Sequence, residues 1–264
     1  MNTEMQAVIL AAGTGSRLGD ASDGRPKCLL EVGGRSLIRH HLDALDRIGI
    51  EKTLVVVGHG ADQVMAEVGY SGLLQFNEVY ARTNSLYSLW LARKWITGNV
   101  MVINGDVLAD PQIYQELRDT DGNVLAFDSR SGTQEEEMKV KFKSDRLHKI
   151  NKEMRPERAH GEHLGILKFD SAGAAALLGE ADRMVGEGLV NEWAPAAVNR
   201  IAKTMPIRGI DVSRLPWTEI DFPSDLEHAR KTVWPAIHGR TSGNGAGDRP
   251  VPKPYPQVLT PSFA

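Results

Sequence analysis

The chain holds 264 residues, with 31 Lys and Arg against 34 Asp and Glu and a formal net charge of −3. That balance excludes the basic excess of a general nucleic-acid binder, and no apolar run reaches the ~18 residues that span a bilayer. A single cysteine, Cys28, rules out an internal disulfide and suits the reducing cytoplasm where the protein is expected. The opening MNTEMQAVIL lacks the basic and long apolar regions of a secretory leader.

Residues 7–11 are a short apolar run ahead of glycines and predict a buried parallel strand. Residues 36–48 carry apolar side chains at 37, 38, 42, 45 and 48, a helical stripe with Ser36 as N-cap and Gly49 just past the end. TLVVVG (53–58) predicts a second strand, 61–68 a short helix, and 84–96 a helix with Leu86, Leu89, Trp90 and Ile96 near one face. VMVING (100–105) predicts a third buried strand that ends at Asp106, and NVLAFD (123–128) a fourth. Such alternation predicts a mostly parallel sheet covered by helices on both faces.

The second half differs. Residues 138–150 alternate with period two across a turn and predict a hairpin, and 163–169 predict another strand. An alanine-rich helix is expected at 171–185, a second helix at 192–203, a strand at 217–221 (WTEID) and a helix from Ser224. The expected organisation is one domain over residues 1–238, with a hairpin and helical subregion at about 130–215 over the C-terminal edge of the sheet. A Gly- and Pro-rich tail, disordered or an extended arm, is expected over 239–264.

The glycine loop after the first strand has three rival explanations. A dinucleotide fingerprint needs a third glycine where Leu18 stands, and an acid at the end of the next strand, where VVVGHG has none. A P-loop needs Lys-Ser/Thr after its last glycine, where this chain has Arg17-Leu18. What remains is a glycine turn followed by a guanidinium and then an ammonium. Gly13 and Gly15 let backbone N–H groups approach anionic oxygens, Arg17 can fork onto two of them, and Lys27 adds a point charge. This suits a polyphosphate gripped at two places; a tight turn beside a surface arginine is the alternative that spacing leaves open.

Asp106 and Asp221 both end strand-like runs, where the ligand crevice of an open α/β sheet lies. Two carboxylates there suit one Mg²⁺ against a triphosphate. An aspartate that ends a strand equally well caps the next turn, as Asp110 before Pro111 does.

LAAGTGSRLG…RPKCLLEVGGRSLI resembles the signature of nucleotidyltransferases that join an NTP to a phosphorylated small molecule and release pyrophosphate. The resemblance implies a single Rossmann-like α/β domain with a mostly parallel mixed sheet. It implies that Leu10, Ala11, Ala12, Gly13, Thr14, Gly15 and Ser16 hold the NTP, with Arg17 and Lys27 as the catalytic cations. It also implies Mg²⁺ on Asp106 and Asp221; Asn104 stands where many relatives carry the first aspartate of a D-x-D turn.

Three further stretches, FNEVYARTNSLYSLWLA (76–92), MKVKF…INK…GEHLGI and TEIDFPSDLEHAR, are similar to the small bacterial cytidylyltransferases for phosphocholine and alkylphosphonates. By that resemblance the NTP is CTP, and Gly58, Asn84, Ser85, Ser88 and Gly105 lie near the pyrimidine. Lys139, Lys152, Glu162, Glu192 and Trp193 then lie at the acceptor. Taken singly, the two lysines read equally well as solvated hairpin residues, Glu162 as a partner of turn amides, and Trp193 as core. The alternative enzyme is a sugar-1-phosphate nucleotidyltransferase using UTP, dTTP or GTP. A non-catalytic nucleotide-binding regulatory subunit is the alternative from another class; the four intact charged positions argue against it. The expected partners are the NTP and a small phosphate or phosphonate acceptor, with no nucleic acid and no membrane; a homodimer is left open.

Overall fold

The computed structural model describes residues 4–243. The chain begins with β1 (Gln6–Ala11), the short antiparallel pair β2 (Glu31–Val32) and β3 (Arg35–Ser36), α1 (Leu37–Arg47), β4 (Lys52–Val57), α2 (Ala61–Val68) and β5 (Leu73–Phe76). It continues with α3 (Ser85–Leu91), β6 (Val100–Asn104), β7 (Val107–Ala109), α4 (Pro111–Asp119) and β8 (Asn123–Asp128). The hairpin β9 (Lys139–Lys143) and β10 (Arg146–Asn151) follows, then β11 (Gly161–Phe169), α5 (Ser171–Gly186), α6 (Ala194–Ile201), β12 (Ile207–Asp211), β13 (Trp217–Glu219), α7 (Pro223–His228) and α8 (Trp234–Gly243).

Nine strands form one sheet in the order β5-β4-β1-β6-β11-β8-β12-β10-β9. β5, β4, β1 and β6 are parallel, β11 runs antiparallel between β6 and β8, and β12 is parallel to β8. The sheet is therefore mixed, as expected: seven of its nine strands run in one direction and β10 and β11 run against them, and helices cover both faces. Strand alternation divides β1 between the two layers. Ala7, Ile9 and Ala11 pack with α1, α2 and α4, while Val8 and Leu10 pack with α3, α5 and α6. A third core holds α7 and α8 against Leu18, Leu30, Val32 and Leu108.

Local chemistry explains the boundaries. Ser36 caps α1 by accepting from the Arg39 amide, and Gly49, at φ +72°, ends it in the left-handed conformation. Asp110 caps α4 by accepting from the Gln112 amide at 2.9 Å. The β9–β10 hairpin turns through Ser144 and Asp145, both at positive φ, which matches the twist of the flanking strands.

Several elements differ from expectation. α3 is shorter than 84–96, giving way to a tighter turn at Ala92–Lys94. α6 occupies only the middle of 192–203. β5, α4 and β12 are strands and a helix that periodicity did not single out. β13 pairs with β7 in a separate ribbon rather than joining the main sheet. α8 runs through Gly243, so residues 239–243 are helical rather than the start of a tail, and Arg240 ties the helix to Asp110 and Gln112 at 3.0 Å each. Residues 244–264, the rest of that tail, lie outside the described residues. Among the described residues no helix is long and apolar enough to cross a membrane.

Candidate functional site

A cleft of about 390 Å³ opens where β1 and β6 end. Its first wall is the glycine loop. Gly15 sits at φ +65°, and a Cβ there would come 2.9 Å from Cγ of Lys27, so this glycine gives the lysine its path to the cleft. Leu10, Ala12, Gly13, Thr14, Gly15, Ser16, Arg17 and Lys27 all line the cleft. Ala11 does not: alternation turns it into the core beside Ala7 and Ile9.

The acidic side is assembled by the β7–β13 ribbon. Glu219 pairs with Val107 across it, and the Ile220 amide donates to the Asp106 carbonyl at 3.0 Å. That register brings residues more than a hundred positions apart to one spot. Asp106, Glu219 and Asp221 each offer an oxygen within 4.8 Å of the others. Lys27 Nζ donates to Asp106 Oδ2 at 3.1 Å and to Asp221 Oδ1, and Arg17 reaches Asp221 Oδ2 at 3.1 Å. The two predicted cations and both predicted aspartates thus share one cavity.

Burial works against the Lys27 charge, but Asp106 and Asp221 outweigh it and raise the lysine's pKa, so it stays protonated at neutral pH. Burial pushes the Asp221 carboxyl up, and Lys27 more than reverses this, leaving it below its usual value. Glu219 shifts the other way: burial first, then the charges of Asp106 and Asp221, push it up to about 8 against the opposing charges of Lys27 and Lys152. Among the described residues, Asp106 Oδ1 is buried with no hydrogen-bond partner. Three converging carboxylates, one with a bare oxygen, are a hard donor set that fits a divalent cation such as Mg²⁺.

The remaining walls carry few charges. Asn77 donates to Thr83 Oγ1 at 3.1 Å and to Ser88 Oγ at 3.2 Å, and all three line the cleft with Tyr80. Asn84 caps α3 through the Ser85 amide, and Ser85 Oγ accepts from the Ala194 amide at 2.8 Å, which fixes α6 beside the cleft. Lys152 and Trp193 line the far side, the ammonium 5.3 Å above the indole centre. At the mouth, Glu136 lies 3.5 Å from Arg17 and 3.8 Å from Lys152.

Five further expected residues do not line the cleft. Gly58 backs the glycine loop: a Cβ there would come 2.6 Å from Cβ of Tyr80 and 2.7 Å from the Ala12 carbonyl oxygen. Gly105 donates its amide to the Leu10 carbonyl at 2.9 Å, and the Glu192 carbonyl accepts from Leu86 at 3.1 Å. Lys139 differs most from expectation. It is fully buried, and its ammonium donates to the carbonyls of Gln134, Glu135 and Glu137 at 2.8, 2.9 and 3.0 Å. It staples the 134–137 loop instead of meeting an acceptor. Lys139→Met should lower the urea midpoint by the equivalent of about 1–3 kcal/mol, because three carbonyls lose a buried donor; an unchanged midpoint would refute the staple.

Glu162 likewise turns away from the cleft, accepting from Ser131 Oγ. Burial, reinforced by Glu137 and Asp128, pushes its carboxyl up to about 7 against the opposing hydrogen bond from Ser131. The fold thus prefers the protonated form. The resulting stability is full below about pH 4.5 and is lost as pH rises through about 7. Glu162→Gln stays neutral throughout, so it should be more stable relative to wild type at pH 8 than at pH 4.5, by on the order of 3 kcal/mol. Denaturation at both pH values would disprove this by giving equal differences.

Glu219 is the acidic group that sequence reasoning missed. The signal was present, since WTEID puts Glu219 and Asp221 on the same face of an alternating run.

Residues 7–169 match the family model of the MobA-like NTP transferase domain. CMP-5′-(3-aminopropyl)phosphonate synthase of Streptomyces rubellomurinus is 30% identical over 241 residues, covering 85% of this chain and 38% of that protein. Choline-phosphate cytidylyltransferase of Streptococcus pneumoniae is 36% identical over 103 residues, covering 39% and 44%. The aligned stretches therefore span less than half the length of either curated relative. The solved CTP:phosphocholine cytidylyltransferase from Streptococcus pneumoniae superposes with a TM-score of 0.73 at 22% identity, covering 86% of this chain and 98% of that one, a likeness of fold.

Proposed function

The chain belongs to the family of MobA-like NTP transferase domains, and from that premise we propose that it transfers CMP from CTP to a small phosphorylated or phosphonate acceptor and releases pyrophosphate. The observation that carries this is the convergence of Lys27, Arg17, Asp106 and Asp221 on one cleft walled by the glycine loop. The choice of CTP is supported by the 76–92 and 218–230 stretches and by relatives named for cytidylyl and CMP chemistry.

The acceptor oxygen arrives ionised, so no general base is needed. It bonds to the α-phosphorus of CTP as the bond from that phosphorus to the pyrophosphate oxygen breaks, and pyrophosphate leaves with the electron pair. Two terms set the barrier: repulsion between two anions, and charge growing on the leaving group. Lys27 lies deepest and is held protonated, so it offsets the repulsion at the reacting phosphorus. Arg17, nearer the mouth, meets the outer phosphates with a two-pronged guanidinium. Both are held in place before substrate arrives, so little reorganisation accompanies the reaction. Asp106, Asp221 and Glu219 would hold Mg²⁺, which when bound supplies further charge neutralisation on the triphosphate.

The test is a pyrophosphate-release screen with Mg²⁺, crossing CTP, UTP, dTTP and GTP with phosphocholine, phosphoethanolamine, aminoalkylphosphonates and sugar 1-phosphates. CTP with a phosphate or phosphonate of the first kinds should dominate. Turnover confined to UTP, dTTP or GTP with sugar phosphates would replace this function with the sugar-nucleotide one.

A further inference from the structure

His163 lies on β11, lines the cleft and is only 4% exposed. Its Nδ1 sits 3.0 Å from the Ala126 carbonyl, which can only accept, so Nδ1 carries the proton. Burial keeps the ring neutral, lowering its pKa to about 4 against the pull of that hydrogen bond. Nε2 is thus a bare lone pair, buried, with no hydrogen-bond partner among the described residues. A buried acceptor left unpaired costs stability unless a ligand supplies the donor. A phosphate oxygen cannot do so, because it too offers only lone pairs.

The strand order indicates which ligand does. The glycine loop follows β1, and Tyr80 and Thr83 follow β5, two strands to one side of β1. His163 is on β11, two strands to the other side, on the wall shared with Lys152 and Trp193. If the glycine loop holds the nucleotide, His163 faces the acceptor. The same wall suits a trimethylammonium poorly: the Trp193 face already carries the chain's own Lys152 ammonium.

We propose that His163 Nε2 accepts a hydrogen bond from the organic end of the acceptor, so that the acceptor carries a primary amine or hydroxyl rather than a quaternary ammonium. This rests on the nucleotidyl-transfer reading for the identity of the ligand, while the orphaned nitrogen stands on geometry alone.

Phosphoethanolamine and phosphocholine test it, since they differ only by N–H against N–CH₃; 3-aminopropylphosphonate and its N-trimethyl analogue make a second pair. With CTP and Mg²⁺, kcat/KM should favour the N–H member of a pair by about 10–100-fold. In His163→Phe that ratio should fall to within about two-fold of unity, with the KM for CTP unchanged. Equal use of both members, or an equal ratio in the variant, overturns the proposal. A rise in the KM for CTP, matched by wild-type enzyme with 2′-deoxy-CTP, would make the donor a ribose hydroxyl and overturn the assignment to the acceptor.

Wild-type protein labelled with ¹⁵N-histidine gives a readout independent of turnover and of the variant's folding. Addition of phosphoethanolamine or 3-aminopropylphosphonate should shift the Nε2 resonance, and the trimethyl analogues should not; the absence of any shift refutes the proposal. Failure of every NTP–acceptor pair to release pyrophosphate would instead overturn the nucleotidyl-transfer reading, leaving the spectrum to decide on His163.

Discussion

Lys27→Ala should lower kcat/KM for pyrophosphate release by about 10²–10³, the scale on which preorganised charge acts on a transition state. The same change should alter how stability depends on metal. The Lys27 side chain is 15% exposed and neutralises two carboxylates that are themselves mostly covered, Asp106 at 24% and Asp221 at 18%. Removing one partner of a buried ion pair costs about 3–5 kcal/mol, less in a cleft that water can enter. Metal-free variant should therefore melt below metal-free wild type. Mg²⁺ binds only the folded state and now meets carboxylates with no internal competitor, so it should stabilise the variant more than wild type. The lysine's own contribution is full below about pH 10.5 and is lost only above that. Urea midpoints in EDTA and in Mg²⁺, beside pyrophosphate release, check both halves. Wild-type turnover, or equal gains from Mg²⁺, would remove Lys27 from its role.

What could be read from the residues divides along a physical line. The parallel half of the sheet was legible because buried strands and amphipathic helices announce themselves over short windows: Ala7 to Ala11, the stripe from Leu37 to Ile48, the run ending at Asp106. β5 and β12 were not, since LLQF and IRGID are short and alternate weakly. The strand-end aspartates were legible as a pair of acids. Their meeting point was not, because it depends on the β7–β13 register.

Glu162 and His163 mark the limit most clearly. Neighbours on a strand face opposite ways, so sequence says that one of them faces the cleft, and only tertiary structure says which. The β8–β11 pairing shifts register between His163 and Leu167, so alternation counted back from the core would mislead. Lys139 failed for a different reason. An exposed-looking hairpin lysine became buried because the 134–137 backbone folds around it, and three carbonyls replace its water. No property of the lysine itself encodes that.

Asp106→Asn is expected to cost as much turnover as the lysine change, about 10²–10³, without the loss of stability. The amide keeps the shape and can still accept from Lys27, so packing and that hydrogen bond survive. What disappears is one carboxylate of a trio whose oxygens lie within 4.8 Å of one another. Glu219 shows the strain among them: burial and then the Asp106 and Asp221 charges push its carboxyl up to about 8. Less mutual repulsion should leave the metal-free variant as stable as wild type or more so. Metal affinity should move the other way, because a neutral amide oxygen replaces an anionic ligand; the Mg²⁺ concentration giving half-maximal rate should rise at least about tenfold. The two variants then separate two functions of one cluster. Lys27→Ala loses metal-free stability and gains more from metal than wild type, whereas Asp106→Asn keeps stability and loses much of that response. A wild-type Mg²⁺ dependence in Asp106→Asn would mean that the bare Oδ1 is not a metal ligand, and that the acidic trio serves only to fix the lysine.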